Sequence, residues 1–311
     1  MNSRWLLRRL AQMVLVLLGV ITLSFFITYA VPGDPARLIA GPNADAATVA
    51  SIHTQLGLDA SMPSQYVSYL GRLLHGDLGT SYAMQGTPVA EKIAAALPVT
   101  AMVAVGGIVW QLVIGVPVGV VSAYRPKSPL DRLVTLGSLL GLSAPPFWLG
   151  LLLIYYLSFK LSLFPLSGLG SPMWWYLVLP TFTLGFGGAA WYARMTRTTM
   201  IDVLRSPYIQ MARAKGMPER KVLLRHGLRH AFIPLITMIG MDFGYFLGGV
   251  LIIESVFGLP GAGKLTYDAI DQLDIPMITG TVVFAAFFIV VMNLLVDIAY
   301  HAIDPRVRAR G

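Results

Sequence analysis

Pro98–Ala123 reads PVTAMVAVGGIVWQLVIGVPVGVVSA and carries no charged residue. A helix needs about 20 apolar residues to cross roughly 30 Å of hydrocarbon, so this stretch alone can span a bilayer. Working outward from it, five more stretches have the same character: Leu10–Val31, Leu133–Phe159, Trp175–Thr199, Ala231–Ile253 and Thr279–Ala302. The whole chain agrees. Of its 311 residues, 56% are hydrophobic and only 12% charged, the latter about half the share in a soluble domain. That balance leaves too little polar surface for a soluble globule and far too much apolar side chain for disorder. The absence of cysteine excludes a disulfide scaffold, thiol chemistry and Cys-ligated metal. The expectation is an all-α polytopic membrane protein with six transmembrane helices.

The formal net charge is +8, but its placement matters more than its sum. With both termini inside, 18 of the 23 Lys and Arg residues fall on the inner side, and only Arg37, Arg72, Lys92, Lys160 and Lys264 fall outside. The positive-inside rule therefore sets both termini in the cytoplasm. This placement also explains the basic excess without nucleic acid as a partner. Arg4, Arg8 and Arg9 precede the first apolar stretch, as in a secretory signal. That stretch is longer than a signal's 7–15-residue apolar region and has no clear small-residue cleavage site, so it reads as a retained span. The domain reading is residues 1–31 as inner N-terminus and first span, 32–97 as an outer loop folded into a small helical cap, 98–302 as the five-helix body, and 303–311 as an inner tail. Within the body, residues 200–230 form a polar, basic, helix-favouring inner loop.

Small residues let helices approach where lipid supplies no hydrophobic drive. Gly240, Gly244 and Gly248 form a double G-x-x-x-G, and the pairs Gly115/Gly119 and Gly137/Gly141 offer two further seams. Pro117, Pro145, Pro146 and Pro180 are expected kinks. Three suggestive patterns fail as chemistry. Gly258–Leu265 reads GLPGAGKL, but Leu265 replaces the hydroxyl of a phosphate-binding loop and no strand precedes it. Gly141–Ala144 reads GLSA and lacks the second glycine of a serine-protease motif. His226 and His230 stand four apart but are flanked by Arg225 and Arg229, which oppose a cation. No catalytic or metal-binding residue is therefore assigned. Asp242 lies near the middle of the fifth stretch, where an ionised carboxylate is costly. It is expected to face the bundle interior or a water-filled path, either as a helix-to-helix hydrogen bond or as a path residue with Met238 and Tyr245. Asp297, near the inner end of the sixth stretch, is expected to pair with an interfacial cation.

The inner loop carries the identity. It reads Tyr208-Ile-Gln-Met-Ala-Arg-Ala-Lys-Gly216-Met-Pro-Glu-Arg, then Leu224-Arg-His-Gly-Leu-Arg-His-Ala-Phe-Ile-Pro234. This resembles the EAA loop of ABC importer permease subunits, in the dipeptide and oligopeptide branch. Val31-Pro-Gly-Asp-Pro35, Gly76-Asp-Leu-Gly-Thr-Ser81 and Glu254-x-x-Phe-x-x-Pro-Gly-x-Gly-x-Leu265 are similar to that branch in the same order. Gln210, Met211 and Ala212 stand where the general pattern has Glu-Ala-Ala, and Pro234 follows Gly216 by 18 residues, a longer spacing that looks like the peptide branch.

The resemblance implies a type I ABC importer fold in a bacterial inner membrane, with 98–302 as the ABC transmembrane domain. It implies that residues 206–218 dock on ATPase subunits through Gln210, Ala212, Arg213, Ala214, Lys215, Gly216 and Arg220. It implies an outer gate at Glu254, Phe257, Pro260, Gly261 and Gly263. The partners would be a second, similar permease subunit, two ATPase subunits and an outer substrate-binding protein. This chain would hold no cofactor, since ATP and Mg would sit on the ATPases. Dipeptides or oligopeptides are the expected cargo, with glutathione, nickel complexes or another small solute as the alternative. A stand-alone secondary transporter is the competing class, but no paired repeat of interrupted helices is visible.

Overall fold

The computed structural model describes residues 3–303 apart from 31–34, 42–43, 56, 85 and 249. The inner tail and the Val31–Asp34 part of the first outer motif therefore lie outside the described residues. The chain runs through α1 (Ser3–Ala30), then a cap of α2 (Pro35–Ala40), α3 (Ala46–Gln55) and α4 (Met62–Leu74), then α5 (Val89–Tyr124). Next come α6 (Pro129–Ser143) and α7 (Pro146–Leu153), which continues as a π-helical stretch, Ile154–Lys160, and the long α8 (Met173–Leu204). The short α9 (Pro207–Ala214) and α10 (Glu219–Lys221) follow. A second π-helical stretch, Val222–Gly227, leads into α11 (Leu228–Leu247), then α12 (Leu251–Val256), α13 (Ala262–Asp271) and α14 (Ile275–Ile303). Among the described residues the only β pairing is one isolated bridge, Thr80 with Pro88.

All six apolar stretches fall on helices, with corrected limits. Among the described residues, three single helices are long and apolar enough to cross a membrane: Trp5–Ile27, Val89–Tyr124 and Ile275–Ile298. A further candidate is a pair, Glu219–Phe232 with Pro234–Leu247, bent by 47°. Pro234 sits at that bend, and proline lacks the N–H that would continue the ladder. α5 starts nine residues before the expected Pro98, and Pro98 and Pro117 lie inside it. Pro180 likewise lies inside α8. These prolines do not break their helices, whereas Pro145 separates α6 from α7. The fifth stretch ends at Leu247, and α12 restarts at Leu251.

The core is the seam between α5 and α8, which run parallel. A Cβ on Gly115 would meet the carbonyl oxygen of Ala189 at 2.6 Å, and one on Gly119 would meet Cβ of Thr196 at 2.6 Å. Gly185 answers from α8 against Trp110 and the Gly107 carbonyl. The helices therefore touch backbone to backbone. The double G-x-x-x-G packs α11 against α14, Gly240 on Val296, Gly244 on Met292 and Gly248 on Ala285. Of the third expected seam, a Cβ on Gly137 would meet nothing within 4 Å among the described residues. The side chains around Gly141, including Ser143 of the GLSA run, lie outside the described residues.

Further contacts align the long helices. Met200 of α8 meets Gly227, so α11 starts where α8 finishes. Arg9 pairs with Asp297 at 3.2 Å, so the N-terminal end of α1 lies beside the C-terminal end of α14. The start of α1, the ends of α5 and α8, α9 and the end of α14 thus share one basic end. The cap covers the other end, where Phe25 of α1 packs on Tyr66 and Tyr69 of α4.

Candidate functional site

At the basic end, α9 is an amphipathic helix of two turns. Pro207 occupies its first turn, where a missing N–H costs nothing. Ile209 and Ala212, three apart, are its buried residues, and Ile209 enters a cluster with Ala123, Met200, Leu204, Val222 and Ala231. Tyr208, Gln210, Met211, Arg213, Ala214 and Lys215 are exposed. Gly216, with φ +76°, closes the helix, its N–H donating to the Arg213 carbonyl at 2.9 Å; this left-handed position suits glycine. Arg213 forks onto Glu219 at 2.6 and 3.1 Å, which ties α9 to α10. The expected docking residues therefore divide. Ala212 seats the helix, Arg213 braces it, and Gln210, Ala214, Lys215 and Arg220 face outward. Lys215, Arg220 and Lys221 are exposed and form no ion pair among the described residues. His230 packs beside the Tyr208 ring, and no group of metal-binding side chains occurs among the described residues.

A second element braces the same end. Asp131, at the start of α6, receives Arg197 through two bonds of 2.6 and 2.8 Å. It also accepts from the Ser122 hydroxyl and from the Lys127 N–H. The Arg197 guanidinium, followed by the Ser122 and Lys127 donors, holds the Asp131 carboxyl well below the usual carboxylate range despite burial. This joins α5, α6 and α8 beside α9.

Toward the C-terminal end of α11, Asp242 is half-buried and accepts a hydrogen bond from the Tyr192 hydroxyl of α8 at 2.9 Å. Tyr192 is itself fully buried. Met238 packs against the cluster of Val116, Tyr192 and Leu235, whereas Tyr245 is 69% exposed. Met238, Asp242 and Tyr245, at i, i+4 and i+7, share one stripe of α11, along which Met238 and Asp242 are half-buried and Tyr245, like Met241, is exposed.

At the capped end, both remaining motifs resolve into carboxylates at helix N-termini, where orphan N–H groups attract negative charge. Glu254 is fully buried. It accepts from the Thr100 hydroxyl of α5 at 2.8 Å and from the Lys264 N–H at 3.0 Å. The Thr100 oxygen in turn accepts from the Ala262 N–H at 2.8 Å. A Cβ on Gly261 would strike the Glu254 carboxyl group, and one on Gly263 would strike the Leu251 backbone at 2.6 Å, so both positions need glycine. The phosphate-loop look of GLPGAGKL thus has an internal meaning: the loop wraps the chain's own carboxylate, and the Lys264 ammonium is held by Asp268 at 2.7 Å. Phe257 is buried against Gly150, and Pro260 is exposed.

The second carboxylate, Asp274, precedes α14. It takes the Ser81 hydroxyl, the Tyr82 N–H at 3.1 Å and the Ala83 N–H at 3.3 Å. In the same motif Gly76 and Gly79 have φ of +76° and +85°, and Asp77 caps the Gly79 N–H at 2.8 Å. Gly76–Ser81 is therefore a shaped strap that fastens the cap to α14. Beside it opens a cavity of about 410 Å³, lined by Phe25, Tyr69, Arg72, Asp77 and Thr279 among others. Thr100, Ser81, Tyr192 and the Asp131–Arg197 pair were not singled out from the sequence. A polar residue inside an apolar span was the available signal for Thr100 and Tyr192.

An all-helical bundle with small-residue seams, a basic exposed helix at one end and a latched cap at the other defines the membrane subunit of a transporter driven by a separate engine. The chain belongs to the binding-protein-dependent transport system inner membrane component family, whose model matches residues 115–309, with the family's N-terminal model matching 2–104. It is a permease subunit of an ABC importer, a multi-pass inner-membrane component and not itself an enzyme. It is 41% identical over 305 residues to the glutathione transport system permease protein GsiC of Salmonella typhimurium, covering 98% of both chains. It is 40% identical over 313 residues to the oligopeptide transport system permease protein AppB of Bacillus subtilis, covering 98% of this chain and 99% of that one. Among solved structures, the inward-facing MetNI methionine ABC transporter matches with a TM-score of 0.56 at 19% identity, over 68% of this chain and 96% of that chain. That likeness carries the fold.

Proposed function

We propose that this chain forms one half of the translocation path for short peptides, glutathione being one peptide of that class. The observation that carries the coupling role is α9: its apolar face is seated in the bundle, and its basic face is offered outward. The basic end faces the cytoplasm, where positive residues are retained. Two ATPase subunits, holding ATP and Mg, dock on Gln210, Ala214, Lys215 and Arg220. A second, similar permease subunit covers the face of α11 that carries Met241 and Tyr245, and the path runs between the halves beside Asp242. The outer binding protein delivers its solute at the capped end, onto the latched Glu254 and Asp274 loops.

Force applied to α9 passes directly into α8 and α11, because Ile209 shares a cluster with Met200, Leu204, Val222 and Ala231. The experiment is uptake of labelled dipeptide and labelled glutathione by cells that depend on this chain. A K215E/R220E variant is expected to abolish uptake of the transported solute at unchanged protein level, and to disconnect ATP hydrolysis from transport in the purified complex. Normal uptake with both charges reversed would refute docking through this face. Which labelled solute enters the unsubstituted cells separates the peptide and glutathione readings.

A further inference from the structure

At the basic end, α1 and α14 part around an open cavity of about 640 Å³. Arg8, Arg9 and Gln12 of α1 line its mouth, facing Asn293 and Asp297 of α14. Arg9 is neutralised by Asp297 at 3.2 Å. Arg8 is exposed and makes no ion pair among the described residues. The mouth therefore holds one uncompensated guanidinium beside two side-chain amides.

Deeper along the same cavity the lining turns apolar, through Met13 and Val16 on α1 and Ile289 and Val290 on α14. From Arg9 to Val16 is about 10 Å at 1.5 Å per residue, the distance from a headgroup to the first part of an acyl chain. Leu15 and Val16 are 73% and 48% exposed, so among the described residues nothing covers this wall. Trp5 lies beside Arg9, with the guanidinium carbon 5.8 Å from the ring centre. Tryptophan at that level marks a membrane–water boundary.

We propose that this cavity binds an anionic phospholipid of the leaflet at the basic end. Its phosphate sits on Arg8, the Gln12 and Asn293 amides donate to phosphate or glycerol oxygens, and one acyl chain follows the apolar wall between α1 and α14. A basic pocket between membrane helices suits such a headgroup. A zwitterionic lipid would bring its own ammonium against Arg8. The lipid completes the packing of α1, much of whose surface is uncovered, and its binding does not depend on which solute is transported.

The test is native mass spectrometry of the purified importer titrated with phosphatidylglycerol or phosphatidylethanolamine of matched chains. Phosphatidylglycerol is expected to be retained about fivefold better, the size of one basic contact at an anionic surface. Arg8→Gln should remove that preference, while Arg8→Lys, which keeps the charge, should retain most of it. Equal retention of the two lipids, or an unchanged preference in Arg8→Gln, would overturn the proposal. If Arg8→Gln does not assemble, Gln12→Cys decides. It would be the sole thiol in the chain, and phosphatidylglycerol should slow its alkylation by a water-soluble maleimide more than phosphatidylethanolamine does, equal rates with the two lipids overturning the proposal. Cross-linking of Gln12→Cys to the second permease subunit would show a protein partner seated in the cavity and would equally overturn it.

Discussion

Replacing Thr100 by Val keeps the shape of the side chain and removes one oxygen. That oxygen does two jobs. It donates to the buried Glu254 carboxylate at 2.8 Å and accepts from the Ala262 N–H at 2.8 Å. A hydrogen bond to a charged group contributes about 1.5–3 kcal/mol, and a buried N–H left without a partner costs about 1–3 kcal/mol. No cavity opens, so T100V is expected to lose roughly 3–5 kcal/mol from these two losses together. The assay is denaturant unfolding of the purified chain in mild detergent, followed by tryptophan fluorescence. Thr266→Val is the control. Its hydroxyl bonds only to the Ala262 carbonyl one turn back, at 2.8 Å, and its loss should stay within about 0.5 kcal/mol. If T100V and T266V unfold at the same denaturant concentration, Thr100 does not latch α5 to the α12–α13 loop. Adding Glu254→Gln to each variant refines the test, because the T100V penalty should shrink once the carboxylate has gone.

Asp131 gives a pH signature. Its folded carboxyl titrates below its unfolded value near 3.9. Its stabilising contribution is therefore complete above that pH and is lost as pH falls through the lower, folded value. Asp131→Asn should cost about 3 kcal/mol at pH 7, the size of a broken buried pair, and should flatten acid unfolding below pH ~4; unchanged acid unfolding would refute the pairing with Arg197. The glycine seams make a steric contrast. Gly119→Ala places a methyl 2.6 Å from Cβ of Thr196 and should destabilise the detergent-solubilised chain by about 1–3 kcal/mol. Gly137→Ala meets open space and should gain up to about 1 kcal/mol of helix propensity. Equal melting temperatures for these two variants would show that α5 and α8 are not in backbone contact at Gly119.

Hydrophobic length made the spans legible, because a bilayer imposes its thickness on any sequence that crosses it. The inner loop was legible through residue order, and Gly216 through the left-handed turn it permits. What the sequence hid was pairing. Glu254 and Thr100 stand 154 positions apart, and Asp274 and Ser81 stand 193 apart. No local pattern marks one as the partner of the other. The breaks inside apolar runs were hidden for a related reason. Pro117 and Pro180 persist in unbroken helices while Pro145 does not, and proline chemistry alone does not distinguish them. Neighbouring helices decide whether a lost backbone bond is tolerated. Burial of Ala212 was equally invisible, since an alanine in a polar loop gives no sign of which way it faces.

The two outer latches also have a history in time. Ribosomes extend a chain at about 5–20 residues per second. Ser81 therefore waits roughly 10–40 s for Asp274 to be synthesised, and Thr100 waits nearly as long for Glu254. During that interval the cap and the second span stand in the membrane with their fastening groups open to water. A chain cut short before Asp274 cannot close the strap, whatever its earlier spans have done. Closure of these latches is thus a report that synthesis has passed Asp274.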